Sequence, residues 1–287
     1  MIRKKMSNLT LRILLIFVAV PLLFGIAFLH HFNFLVLALA GAFFLISGTY
    51  ETWKLFYGKL EKSDFVFVTI IAFSIPVIIY FENAQMLPYN TVFYFSGVLI
   101  FFIFIYQIFN RNENSYSEIN KKTSAMLVLM FYPGLFFSYA LRLPTLHYPS
   151  FAIILFLWLV FFNDICAYVA GMLWGNNNRN IISISPKKSL VGFIFGFLSS
   201  IAAVSGFYFV NPRFFAENYY YALFLGAAIG IVSIVGDLVE SAMKRSANTK
   251  DSGDVLPGRG GILDNIDSLI FSAPVFYFTV KYISTNG

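Results

Sequence analysis

Charge and cysteine are what this sequence has least of. Only 12% of its 287 residues are Asp, Glu, Lys or Arg, roughly half the share carried by a soluble domain. No polar stretch is long enough to build an independent core, so there is no soluble domain to look for. The single cysteine, Cys166, excludes an intramolecular disulfide and any Cys-rich metal site. It reads as a small buried apolar side chain. The alternating strands of about ten residues that mark a membrane barrel are absent. No internal repeat is visible, which argues against a transporter built on duplicated halves.

What is present is a series of long apolar runs, with 59% hydrophobic and 20% aromatic residues overall. Nine of them, at 12–29, 33–53, 64–81, 91–109, 123–141, 151–174, 189–210, 219–243 and 263–283, approach or exceed the ~20 residues that cross a bilayer core. In lipid such runs must satisfy their own backbone groups and are therefore helical. The expectation is an all-α, polytopic membrane protein with about nine transmembrane helices. Helices 1–5 fall in 1–150, and helices 6–9, which carry the chemistry, fall in 151–287 of the same membrane unit. The first run has the charged start of a signal peptide (Arg3, Lys4, Lys5) but no small-residue cleavage site, so it reads as a retained helix.

A net charge of +6 raises nucleic acid as a partner, yet the cations sit in short loops between spans, where topology explains them better. With the N-terminus inside, only Arg142, Arg213 and Lys281 of the 20 Lys and Arg fall outside. That places the N-terminus and the loops 175–188 and 244–262 in the cytoplasm, where nucleotides are, and His30, His31 and His147 on the outer side. Pro21, Pro76 and Pro133 are predicted to kink their helices. Tyr50, Glu51 and Trp53, closing the second span, read as an interfacial anchor.

The few charges are concentrated. Asp164 lies within the sixth span, where a carboxylate costs about 2.5–3.5 kcal/mol, so it should face a polar cavity or a cation. Tyr168 follows, and Ala167, Gly171 and Gly175 share one face that permits close helix contact. Ser185-Pro186-Lys187-Lys188-Ser189 comes just before a helix, whose N-terminus suits phosphate. Asp237 and Glu240 are helix-surface neighbours near the end of the eighth span, followed by Ser241, Lys244 and Arg245. Next come Lys250-Asp251 and Pro257-Gly258-Arg259-Gly260-Gly261, whose glycines let backbone N–H groups approach an anion. Asp264 and Asp267 then share a face of the ninth span. Carboxylates from two helices suit a hard divalent cation, and the interleaved Lys and Arg suit phosphates that bridge it.

At these residues the sequence resembles the CDP-diacylglycerol synthase, or phosphatidate cytidylyltransferase, family. The family signature is carried by Ser241, Lys244-Arg245, Lys250-Asp251, Pro257-Gly258-Arg259-Gly260-Gly261 and Asp264-Asn265-Ile266-Asp267. Upstream, Asp164-x-x-Ala167-Tyr168-x-x-Gly171 and Ser185-Pro186-Lys187-Lys188-Ser189 also look like family segments. The resemblance is firm over 160–275. Arg259 stands where the family usually has His, Asn265 where it usually has Arg, and Val191 where Glu is common.

The resemblance implies condensation of phosphatidate with CTP to give CDP-diacylglycerol and pyrophosphate. It implies Mg²⁺, with room for a second cation, on Asp237, Asp264 and Asp267, and Lys250 and Asp251 with these among the catalytic groups. Lys244, Arg245 and Arg259, with Ser241 nearby, would bind phosphates. Gly258, Gly260 and Gly261 would offer backbone N–H groups, and Ser185, Lys187, Lys188 and Ser189 would form a second cradle. Asp164 and Tyr168 would line the cavity. The expected partners are CTP, phosphatidate and membrane lipid, without nucleic acid, and a homodimer stays open. The expected place is the cytoplasmic membrane with the site facing the cytoplasm and a lateral opening for lipid. The rival readings are a CTP-dependent polyprenol or phytol-type lipid kinase and an ion-coupled transporter.

Overall fold

A computed structural model describes residues 21–58, 62–109, 119–179, 181–255 and 260–286. Among them eight helices are long and apolar enough to cross a membrane. They are α1 (His31–Tyr57), α2 (Lys62–Asn83), α3 (Thr91–Phe109), the composite α4, α5 (Pro149–Trp174), α6 (Leu190–Val210), α7 (Tyr219–Ser246) and α8 (Leu263–Asn286). They correspond to the second to ninth expected spans, and half of the first span, 12–20, lies outside the described residues. The described residues contain no strand beyond one isolated bridge, Arg179 to Ser189. The protein is an all-α polytopic membrane protein.

Composite α4 runs from Ile119–Leu129 through a π-helical turn, Met130–Phe136, to Phe137–Leu141. Pro133 lies inside that turn. A proline removes one donor and crowds the preceding turn, and a widened turn accommodates both effects. Pro76, by contrast, lies within an uninterrupted α2.

Helices α5 to α8 pack through small residues. A Cβ on Gly192 would lie 2.8 Å from the Ala167 carbonyl, and one on Gly196 would lie 3.0 Å from the Ala167 Cβ. One on Gly230 would meet Phe197 at 3.2 Å, and one on Gly236 would meet the Asp267 carbonyl at 2.9 Å. Backbones can approach this closely only where side chains are missing. Buried Asn163 donates to Ser200 Oγ at 3.0 Å and to the Gly230 carbonyl at 3.2 Å, joining α5, α6 and α7. Helix α8 packs on α1, α4, α5 and α7, so its first turn is fixed from several sides. Large apolar side chains such as Phe101 and Phe102 point outward, as a lipid-facing surface requires.

Buried ion pairs tie the N-terminal helices. Lys122 lies 3.2 Å from Asp64, whose other oxygen accepts from Tyr106 at 3.1 Å. Arg142 pairs with Glu82, which also accepts from the Val92 N–H at 2.6 Å. Lys54 and Lys121 border one cavity with residues 246–249 and 251–254, whereas Arg142 and Lys281 both lie over the Tyr89 ring. The end of α1 is not the expected interfacial anchor. Tyr50 is exposed, but Glu51 and Trp53 are 2% and 1% exposed, so they face protein rather than a water–lipid boundary.

Candidate active site

Ser189 shapes one wall. It is the N-cap of α6, accepting from the Gly192 N–H at 3.1 Å, and it satisfies a donor the helix cannot pair internally. Its hydroxyl sits so close to α5 that a Cβ on Gly175 would fall 2.5 Å away. This contact fixes the 175–189 loop over the end of α5, with the Arg179–Ser189 bridge closing it. Ser185 makes the tight turn before the cap, its carbonyl accepting from the Lys188 N–H at 3.1 Å.

The loop and four helices enclose a cavity of about 640 Å³. Asp164, Tyr168, Lys187, Lys188, Ser189, Asp237, Asp264 and Asp267, all singled out in the sequence, border it. Arg179 and Ser268 also border it; the sequence reading passed over them, although Arg179 belongs to the same cationic loop. Lys188 lies 2.5 Å from Asp237 Oδ2. Asp164 Oδ1 accepts from Ser233 Oγ at 3.3 Å and Ser268 Oγ at 3.5 Å. Tyr168 and Met172 border the cavity yet are 70% and 53% exposed. The cavity therefore reaches the lateral surface of a span.

The carboxylates divide into two groups. Asp237, Glu240 and Asp267 each offer an oxygen, and these oxygens lie within 4.8 Å of one another. Glu240 is fully buried, and its Oε1 has no hydrogen-bond partner. Three carboxylates this close repel unless a cation neutralises them, so the donor set fits a hard divalent ion with oxygen ligands. Asp264 is engaged elsewhere. Its Oδ1 accepts from Lys244 at 2.6 Å, and its Oδ2 accepts from the Ser252 N–H at 3.0 Å, Ser252 Oγ at 3.0 Å and the Gly261 N–H at 2.7 Å. Glu240, noted in the sequence only as a neighbour of Asp237, completes this close group of three, and Asp264 is not among them.

The remaining residues form the frame. Lys244 pairs with both Glu240 and Asp264. Arg245 donates to the Ile184 carbonyl at 3.3 Å and the Thr249 carbonyl at 3.2 Å, bracing the two loops against each other. Ser241 is buried on α7, and Lys250 is exposed; neither borders the cavity. Asp251 lines the neighbouring cavity with Lys54 and Lys121. Gly260 has φ +87°, and a Cβ there would lie 2.5 Å from Asp264 Oδ2, so the turn requires glycine. Asn265, in the place of the usual Arg, donates to the Gly261 carbonyl at 2.7 Å and reinforces the turn. Gly258 and Arg259 lie outside the described residues.

The sequence model of the cytidylyltransferase family matches residues 10–283. An uncharacterized protein of Escherichia coli (strain K12), YnbB, is 42% identical over 123 residues, which are 42% of this chain and 39% of that protein. A phosphatidate cytidylyltransferase of Synechocystis sp. (strain ATCC 27184 / PCC 6803 / Kazusa) is 42% identical over 118 residues, 41% of this chain and 39% of that one. A phosphatidate cytidylyltransferase of Staphylococcus haemolyticus (strain JCSC1435) is 35% identical over 178 residues, 61% of this chain and 64% of that one. The matched stretches thus cover under two thirds of each of these relatives. The family match spans nearly the whole chain, from the first expected span through the carboxylate cluster into α8, and the chain belongs to the cytidylyltransferase family.

Proposed function

We propose that the protein is a phosphatidate cytidylyltransferase that makes CDP-diacylglycerol and pyrophosphate from phosphatidate and CTP. The observation that carries this reading is the juxtaposition of four carboxylates (Asp164, Asp237, Asp264 and Asp267), cations and a lateral mouth in one cavity. Arg179, Lys187 and Lys188 border it together with Asp237 and Asp267, Lys188 paired with Asp237, while Tyr168 and Met172 reach the outer surface of α5. The acyl chains then remain in the bilayer while the head group enters. The names of two of the relatives support the same substrate pair.

In this reaction a phosphatidate phosphate oxygen forms a bond to the α-phosphorus of CTP. The bond from that phosphorus to the β-phosphate oxygen breaks, and pyrophosphate leaves with the electron pair. A phosphate monoester has a second pKa near 6, so the nucleophile needs no general base at neutral pH. The task is to bring two anions together, and it is met by positioning and charge neutralisation. Mg²⁺, with a second cation where present, would supply Lewis-acid neutralisation of the phosphate oxygens. Asp237, Glu240 and Asp267 would hold it, and Asp264 would support them through Lys244. Lys187, Lys188 and Arg179 face the cavity and carry the phosphate contacts. Lys188 is placed to exchange Asp237 for a phosphate oxygen. The charge asymmetry of the loops supports a site on the cytoplasmic face of the cytoplasmic membrane.

The test is purified protein with phosphatidate, Mg²⁺ and CTP labelled at either the α or the γ phosphorus. Label from the α position enters lipid and pyrophosphate accumulates. Lipid labelled only from the γ position, with CDP released, would replace this reading with a lipid kinase. Asp237→Asn, Asp264→Asn and Asp267→Asn each lose most Mg²⁺-dependent turnover, and wild-type rates in all three would remove these carboxylates from the site.

A further inference from the structure

We propose that Glu51, far from the signature in sequence, is a positioning residue that sets the carboxylates of α8. The proposal rests on the cytidylyltransferase reading and names a residue on which that site depends. Glu51 is buried in the last two turns of α1, and both its oxygens are used. Oε1 accepts from the Ile262 N–H at 2.9 Å. Oε2 accepts from the Leu263 N–H at 2.8 Å and lies 2.9 Å from Ser252 Oγ. Among the described residues no ion pair involves Glu51. The opposing charge is supplied by the N-terminus of α8, whose first N–H groups lack helical partners and carry the positive end of the dipole.

The chain closes tightly around this carboxylate. A Cβ on Gly253 would lie 2.7 Å from Glu51 Oε1, and one on Gly261 would lie 2.3 Å from Oε2. Glu51 therefore grips both ends of the segment containing Pro257-Gly258-Arg259-Gly260-Gly261. Ser252 is the hinge between two acids. Its hydroxyl is 2.9 Å from Glu51 and 3.0 Å from Asp264, and it donates to one at a time. From Asp264 the connection runs through Lys244 to Glu240, and Asp267 lies one helical turn further along α8. Fixing the first N–H groups of α8 fixes the rotation and height at which Asp264 and Asp267 emerge. A water–lipid anchor would explain none of these contacts.

Glu51→Gln tests this at nearly constant volume, because the amide must point an N–H group at an N–H donor. Hydrogen–deuterium exchange at 252–255 and 260–264 should speed up about tenfold, as loss of a charge-assisted hydrogen bond implies, while α5 and α6 keep their protection. The KM for CTP–Mg²⁺ should rise about tenfold, with the KM for phosphatidate unchanged within about twofold. Ser252→Ala, which removes one contact and leaves the helix N-terminus intact, should move both readouts the same way by less. It carries the test if the first variant does not fold. Unchanged exchange and unchanged KM for CTP overturn the proposal. So does an equal change in both KM values with exchange raised throughout the bundle. A wild type that makes no CDP-diacylglycerol sinks the assigned reaction instead, and the exchange result alone then decides the role of Glu51.

Discussion

Lys244→Met isolates the electrostatics of the carboxylate cluster. Lys244 is paired with Glu240 and lies 2.6 Å from Asp264, with side-chain exposures of 13%, 0% and 9% for the three groups. Methionine keeps the apolar stem and removes the charge. Glu240, whose Oε1 already lacks a hydrogen-bond partner, is then left without its cation. Removing one member of a buried pair costs about 3–5 kcal/mol. A divalent ion among Asp237, Glu240 and Asp267 opposes that loss. One pair of unit charges 4 Å apart at an effective dielectric of 20 contributes about 4 kcal/mol, comparable to the damage. The expected result is a loss of about 3–5 kcal/mol in chelator, reduced by more than about half in excess Mg²⁺. Denaturant unfolding in detergent, followed by the fluorescence of the 3 tryptophans, measures both. An equal loss with and without Mg²⁺ would show that Glu240 is not part of a cation site.

Glu240→Gln weakens Mn²⁺ binding, read by electron paramagnetic resonance, more than Asp264→Asn does, since supporting residues typically cost 10–100-fold and ligands more. The reverse order would return Asp264 to the ligand set. Gly196→Leu puts a side chain where the Cβ alone lies 3.0 Å from Ala167 and Asn163, so thermal unfolding should show a loss of at least about 1–3 kcal/mol. Gly206, with nothing within 4 Å of its Cβ position, accepts alanine with no loss of stability. Glu82→Ala strands the buried Arg142 and costs about 3–5 kcal/mol. The KM for CTP of the folded fraction stays unchanged, because this pair lies with the Tyr89 end of the bundle.

The spans were legible because lipid leaves an apolar run no alternative to helix. The run 91–109 matches Thr91–Phe109 at both ends, and the Ala167, Gly171 and Gly175 face does pack closely on α6 and its cap. The cavity's charged lining was legible for a related reason. A carboxylate such as Asp164 or Asp267 inside an apolar run is costly enough to mark a site. Tertiary structure decided which carboxylates meet. Asp264 and Asp267 are the same residue type one turn apart, but the rotation of α8 aims Asp267 at Asp237 and Glu240 and turns Asp264 into its own loop. That rotation depends on contacts with no local signature. Glu51 stood next to tyrosine and tryptophan at the end of a span, where anchors are common, and only its approach to the N–H groups of Ile262 and Leu263 gives it another meaning. Composition and spacing determined that this is a helical membrane protein with acidic residues set inside its apolar runs. The pairing of those charges was left to the packing of α1, α7 and α8, because a hydrogen bond across two hundred residues leaves no periodicity in the chain.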